Sequence, residues 1–324
     1  MGNRTEPGIA RFEKYLQRLE QLLLAANAQR EPVVYLFEND MRTPLFMLEG
    51  LARIYRKLHN EKSFEKLLEK FKELEDALGA VDYFSAWERW GRENNLPAVT
   101  KYFAKHKQEA NQEFEKILHK RDWLDTKDYQ IKRIEKIRKR LQKADWLTSQ
   151  EEPAAIKKFF NETCVSLSEK CGALDLTLLE DGIHEFRRSV RWLSIYAQCL
   201  NGLIQLQDDN LQSTLSHYLN QEVVESPFNK MPESEAGHSV LSVRRSLFYA
   251  LSYIIAETGR LKDEGQKLEA ITEYLHDQKE SSYEVKAREL TGVRPLPQIV
   301  QAAAQKIQEF LNHKILEQLA EDFK

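Results

Sequence analysis

The sequence predicts an all-α fold of long helices, and three observations predict it. Leu, Glu, Lys, Gln and Ala dominate the chain, and these residues lose least on entering a helix. Only 12 Gly and 9 Pro punctuate 324 residues, so few positions demand a turn. Apolar residues recur at steps of three and four over long stretches, which gives each helix one buried face. An apolar content of 42% supplies a substantial core, and little room remains for β-structure.

The first helical pattern covers residues 8–28, with Ile9, Phe12, Leu16, Leu19 and Leu22 on one face, and Pro32 breaks it. A second periodic stretch, 33–58, carries Thr43-Pro44 in its middle. That pair reads as an N-cap with Pro at the first helical position or as a kink, and a break is expected there. Residues 63–78 read as a helix capped by Ser63 and ended at Gly79, followed by a short helix over 83–92. A long amphipathic segment covers 96–119, and 127–143 continues in the same style with an excess of Lys and Arg. The polar run Thr148-Ser149-Gln150-Glu151-Glu152-Pro153 sets a boundary that divides the chain into 1–150 and 151–324. In the second half, helices are expected at 154–170, 175–208, 211–222, 240–276, 282–290 and 297–324. Residues 220–237, with Pro227 and Pro232 among polar neighbours, read as a long loop.

Charge and hydropathy narrow the function classes. The net charge is −3 with 31% charged residues, so no global basic field draws the protein to nucleic acid, and any anion site must be a local patch. Mean hydropathy is −0.59 and the longest apolar runs are as short as Leu22 to Ala26, which predicts no transmembrane helix. The first eleven residues carry charges and Pro7 but no apolar core followed by a cleavage site. No signal peptide is therefore expected, and the chain is assigned to the cytoplasm. Cys164, Cys171 and Cys199 cannot all pair and lack the close spacing of a zinc site, so reduced thiols are the simplest reading.

Enzyme templates fail. His184-Glu185 lacks the second histidine one turn on that a zinc-protease helix needs, and no Gly-rich loop precedes a Lys-Ser or Lys-Thr pair. No cofactor, metal or catalytic residue is expected.

The most informative segment runs from Asp181 to Leu193. His184, Arg187, Arg188 and Arg191 fall at i, i+3, i+4 and i+7, which stacks four cationic groups along one helical face. Ile183, Phe186, Val190, Leu193 and Ala197 form a separate apolar stripe, so the helix buries one side and presents the basic row on another. Guanidinium forks match phosphate oxygens because they donate paired hydrogen bonds and keep their charge. The alternative is a structural row, with the arginines paired to acids of a neighbouring helix and His184 held by a hydrogen bond. Lys132, Arg133, Lys136, Arg140 and Lys143 form another basic stripe, Arg53, Arg56 and Lys57 a third, and Arg244-Arg245 opens a fourth. Each has acidic neighbours, as a solvated face does.

Residues 184–193 resemble the signature of the conserved histidine α-helical domain (CHAD) family, in which a helix starts with His, an apolar residue and Arg and continues with further basic residues. His184, Phe186, Arg187, Arg188 and Arg191 match, while Trp192 and Ser194 stand where basic residues are usual. Asn39-Asp40-Met41-Arg42 occupies the equivalent place in the first half. Arg42 and Arg187 lie 145 positions apart (187 − 42), as do Asn39 and His184 (184 − 39), consistent with an internal duplication. In this first copy Asn39 replaces the histidine, and Thr43, Pro44, Leu45 and Phe46 replace most of the basic row. Leu78-Gly79-Ala80-Val81-Asp82 is similar to the family's following Leu-Gly turn and Asp, without the usual Arg. The resemblance implies two pseudo-symmetric bundles of long antiparallel helices around a basic groove between the repeats that binds inorganic polyphosphate. The expectation is a non-enzymatic binding module in which His184, Arg187, Arg188, Arg191 and Arg42 contact polyphosphate or a similar polyanion. The alternative is a helical scaffold that has lost the anion site and meets a protein partner through Phe84, Trp87 and Trp90 near a turn, or through the loop at 220–237.

Overall fold

The computed structural model describes residues 6–127, 129–209, 213–234 and 239–324. The fold is all-α, with thirteen α-helices among the described residues and two short strand pairs. Contacts within the chain divide it into two compact units, Met1–Glu152 and Pro153–Lys324.

In the first unit, α1 (Pro7–Asn27), α2 (Pro32–Glu38), α3 (Arg42–Leu58), α4 (Glu61–Glu93) and α5 (Pro97–Lys120) form the body. α4 packs along both α3 and α5, and α1 along α3. Connections of two residues between α3 and α4 and three between α4 and α5 fold these helices back on each other. β1 (Thr126–Lys127) pairs antiparallel with β2 (Gln130–Ile131), and α6 (Lys132–Leu141) follows and packs on α1. Phe12, Leu16, Leu48, Phe64, Phe71 and Phe114 are fully buried at the centre. Tyr55 closes the core with a polar pair: its hydroxyl donates to Glu152, while Arg11 donates to both Tyr55 Oη at 2.8 Å and Glu152 at 2.5 Å.

Three expectations for this half need correction. Gly79 does not end a helix, and the helices read at 63–78 and 83–92 are the single helix α4. Glycine inside a long helix costs about 1 kcal/mol, less than packing against α3 and α5 on both sides supplies. Ser63 is not the cap either, since the helix starts at Glu61 after Asn60 in a left-handed conformation (φ 51°). The break near Thr43-Pro44 lies earlier, over residues 39–41. Asp40 there has φ 56°, its Oδ1 accepts from the Thr43 N–H at 3.2 Å, and Pro44 sits in the first turn of α3.

The second unit contains α7 (Glu152–Gly172) from Pro153 onward, a π-helical turn (Leu179–His184), α8 (Glu185–Cys199), β3 (Ile204–Gln207), α9 (Gln221–Glu225), β4 (Leu241–Arg244), α10 (Arg245–Asp277), α11 (Tyr283–Thr291), α12 (Leu296–Asn312) and α13 (Ile315–Asp322). Short 3-10 turns cover Ser213–Tyr218 and Pro227–Asn229. The 33-residue α10 is the spine: α8, α11, α12, α13 and the π-helical turn all pack on it. Ile183, Phe186, Val190, Leu251, Ile254 and Phe310 are buried in the core of this unit, and the Phe186 and Phe310 rings contact edge to face at 5.9 Å.

The helix expected at 175–208 is interrupted. It becomes the π-helical turn and α8, then leaves the helical path at residues 200–203 to enter β3, which pairs in parallel with β4 from Ile204↔Leu241 to Gln207↔Arg244. The helix expected at 211–222 is a 3-10 turn and the start of α9 where it is described; residues 211 and 212 lie outside the described residues. The loop expected at 220–237 contains α9, capped by the Asn220 side chain accepting from the Val223 N–H at 2.9 Å, and residues 235–237 lie outside the described residues. No helix among the described residues is long and apolar enough to cross a membrane.

Candidate functional site

The π-helical turn sets up the face that carries the basic row. Asp175 Oδ1 accepts from the backbone N–H and hydroxyl of Thr177, which turns the chain, and the Ile183 N–H then reaches back five residues to the Leu178 carbonyl at 3.0 Å. Gly182 lies so close to this turn that a Cβ on it would fall 2.1 Å from the Asp175 carbonyl oxygen. From Glu185 onward the helix is regular, so the spacing of His184, Arg187, Arg188 and Arg191 places them on one side as the sequence predicts.

His184 is half-buried and sits 3.0 Å from Glu180, one turn back. Arg187 is half-buried and its Nε donates to the Ile255 carbonyl of α10 at 3.2 Å. Its guanidinium lies across Gly259, where an added Cβ would be 3.0 Å from Nε. A side chain at 259 would displace that head group, and this is why α10 carries glycine beneath it. Arg188 points outward, 60% exposed, and pairs with Glu185. Arg191, one turn on, is half-buried.

Two residues that sequence reasoning missed complete the face. Lys170 of α7 donates to Glu185 at 2.5 Å and to Ser189 Oγ at 3.1 Å, and the Ser189 hydroxyl donates to Glu185 at 3.1 Å. Burial works to raise the Glu185 carboxyl, but the hydrogen bonds from Lys170 and Arg188 overcome it and hold it below the usual carboxylate range. Glu185 is 20% exposed, against 50% for Lys170 and 60% for Arg188. Two cationic heads therefore stand toward solvent over one recessed carboxylate. A basic residue contributed from another helix leaves no trace in the periodicity of α8, whereas Glu185 was visible beside His184 but read only against a protease template.

Arg42 lies in the first unit, at the start of α3. Its guanidinium reaches α4, where it hydrogen-bonds Glu75 at 3.1 Å, pairs with Asp82, and passes 3.8 Å from where a Gly79 Cβ would be. Asn39, at the position matching His184, ends α2 instead, with its side-chain amide donating to the Tyr35 carbonyl at 2.8 Å. The structure thus carries Arg187, Arg188 and Arg191 on α8, with His184 at the end of the π-helical turn that leads into it, and holds Arg42 against α4 in the first unit.

Several residues of the remaining basic stripes pair with acids. Arg56 pairs with Glu65, Lys136 with Asp122 at 2.6 Å, Arg244 with Asp322 at 2.7 Å and Arg245 with Asp208 at 3.1 Å. Phe84, Trp87 and Trp90 belong to the continuous α4 rather than to a turn, and Phe84 stacks on His106 of α5. The thiols of Cys164 and Cys171 are pushed up to about 12, chiefly by burial, which removes them as nucleophiles near neutral pH. His217, Glu309 and His313 form a group able to hold a metal ion, which no spacing in the sequence signals.

Comparison with protein families, curated proteins and solved structures finds no match. The functional reading stands on the residues and their geometry.

Proposed function

We propose that this protein is a non-enzymatic binding module whose α8 face takes a phosphate-rich polyanion, with inorganic polyphosphate as the ligand implied by the CHAD resemblance. The observation that carries the reading is the pair of exposed cations, Lys170 and Arg188, over the recessed Glu185. One carboxylate serves two positive groups, so the patch keeps a local positive balance although the chain as a whole is slightly acidic. Phosphate oxygens would be met by Arg188 and Lys170 at the front and by Arg187, Arg191 and His184 along the same side of the helix. Arg187 is pre-oriented by the Ile255 carbonyl, which reduces the ordering cost of an anion contact.

The internal duplication also has support at the level of local structure. Arg42 and Arg187, matched by the common offset, each lay a guanidinium over a glycine within a 33-residue helix, Gly79 of α4 and Gly259 of α10. We read the two units as divergent copies in which the second copy keeps the anion face. In the first, Glu75 and Asp82 place two carboxylates on one guanidinium. A phosphate at Arg42 would have to displace them. That arrangement is what favours the second reading, a helical scaffold that kept the architecture and lost the site.

Two variants separate these readings. Lys170→Gln with Arg188→Gln should weaken retention of long-chain polyphosphate at low salt by roughly tenfold or more, since charge-assisted hydrogen bonds contribute about 1.5–3 kcal/mol each, with the far-UV circular dichroism still helical. Arg187→Met is the contrasting change: it keeps the aliphatic stem over Gly259, deletes the bond to the Ile255 carbonyl, and should lower the melting temperature. Unchanged polyphosphate retention in the Lys170/Arg188 variant would remove this face as the site, and no saturable retention by the unaltered chain would leave the scaffold reading.

A further inference from the structure

We propose that His217, Glu309 and His313 form a binding site for a divalent transition metal ion of the Zn²⁺ class, separate from the anion face. Glu309 and His313 stand four residues apart at the end of α12, which puts their side chains on one helical face. The 3-10 turn Ser213–Tyr218 brings His217 against them, with Nε2 at 3.2 Å from Glu309 Oε1. One ligand atom from each of the three residues lies within 4.8 Å of the other two. Ligands at the usual Zn–N and Zn–O lengths around a tetrahedral ion are about 3.3 Å apart. The His217–Glu309 pair is already at that spacing, and a small side-chain rotation brings in the third ligand.

The donor chemistry selects the metal class. Two imidazoles and one carboxylate suit Zn²⁺, Ni²⁺ or Cu²⁺ and offer too few oxygens for Ca²⁺ or Mg²⁺. The surroundings hold His313 in place as an outer shell would. With its proton on Nδ1, His313 donates to the Tyr218 hydroxyl at 2.8 Å, on a residue only 1% exposed, and this tautomer leaves the Nε2 lone pair as the coordinating one. Gln318 donates to the His313 carbonyl at 2.8 Å and fixes its backbone. His217 and Glu309 are 39% and 54% exposed, so an ion enters from solvent and a water completes its fourth position.

The test uses the full, untagged chain stripped with chelator and titrated with Co²⁺, whose visible absorption is intense when the ion is tetrahedral. The expected result is saturation at one equivalent and displacement by Zn²⁺. His217→Ala and His313→Ala should each weaken binding at least tenfold, and Tyr218→Phe by roughly tenfold, as outer-shell partners of metal ligands do. Glu309→Gln serves as a surface variant that retains the fold by circular dichroism and still lowers affinity. No saturable Co²⁺ uptake by the unaltered chain would overturn the proposal, as would uptake that His217→Ala, His313→Ala and Glu309→Gln leave unchanged.

Discussion

Glu49 shows how a single buried charge makes stability depend on pH. It is only 2% exposed, and burial pushes its carboxyl up to about 7, with Arg53 at 3.7 Å offsetting part of that rise. The ordinary value in the unfolded chain is 4.5. Between these two values the folded protein holds a proton that the unfolded chain has released, so stability is fully present below about 4.5 and falls as pH rises through about 7. The full effect is on the order of 3 kcal/mol. Glu49→Gln stays neutral throughout and should flatten the dependence: between pH 5 and pH 8 the melting temperature of the unaltered protein should fall further than that of the variant. Parallel curves for the two would contradict this role for Glu49. At the anion face the same reasoning gives the opposite state, because Glu185 is held in its charged form by Lys170 and Arg188.

Among the elements, the π-helical turn ahead of α8 depends most narrowly on one residue. Gly182 faces a backbone carbonyl that cannot rotate away, and a methyl group there would lie 2.1 Å from it. Gly182→Ala should therefore destabilise the second unit by about 2 kcal/mol or more, as overpacking against fixed atoms does, and should disturb the placement of His184 more than that of Arg191. Equilibrium unfolding in urea measures the first effect, and unchanged stability would contradict it. Helix existence was legible wherever a 3.6-residue apolar period persisted, as in α1, α5 and the two ends of α4. Helix ends were less legible, because Gly79 carries no mark that distinguishes a terminator from a residue inside a continuous helix. The parallel pairing of β3 with β4 was not legible either. Each strand has four residues, and their partners stand 37 positions apart (241 − 204).

For the whole molecule, acidic and basic residues nearly balance, so polyanion binding depends on where the charges sit rather than on how many there are. The all-α class followed from composition and period, and the basic row followed from spacing within one helix. The contacts of α8 with its neighbours did not follow, because Lys170, Ile255 and Gly259 reach α8 from other helices, and a single-helix pattern holds no information about them. The candidate metal group escaped for the same reason, since His217 and His313 are joined only by the fold. The most direct measurement of the central claim is the salt dependence of polyphosphate binding by the unaltered chain and by the Lys170→Gln/Arg188→Gln variant. The account predicts saturable binding whose logarithmic affinity falls linearly with the logarithm of salt concentration, with a slope shallower in the variant by roughly 0.7–0.9 for each cation removed. Absence of saturable binding at low salt, or identical slopes for the two proteins, would contradict it.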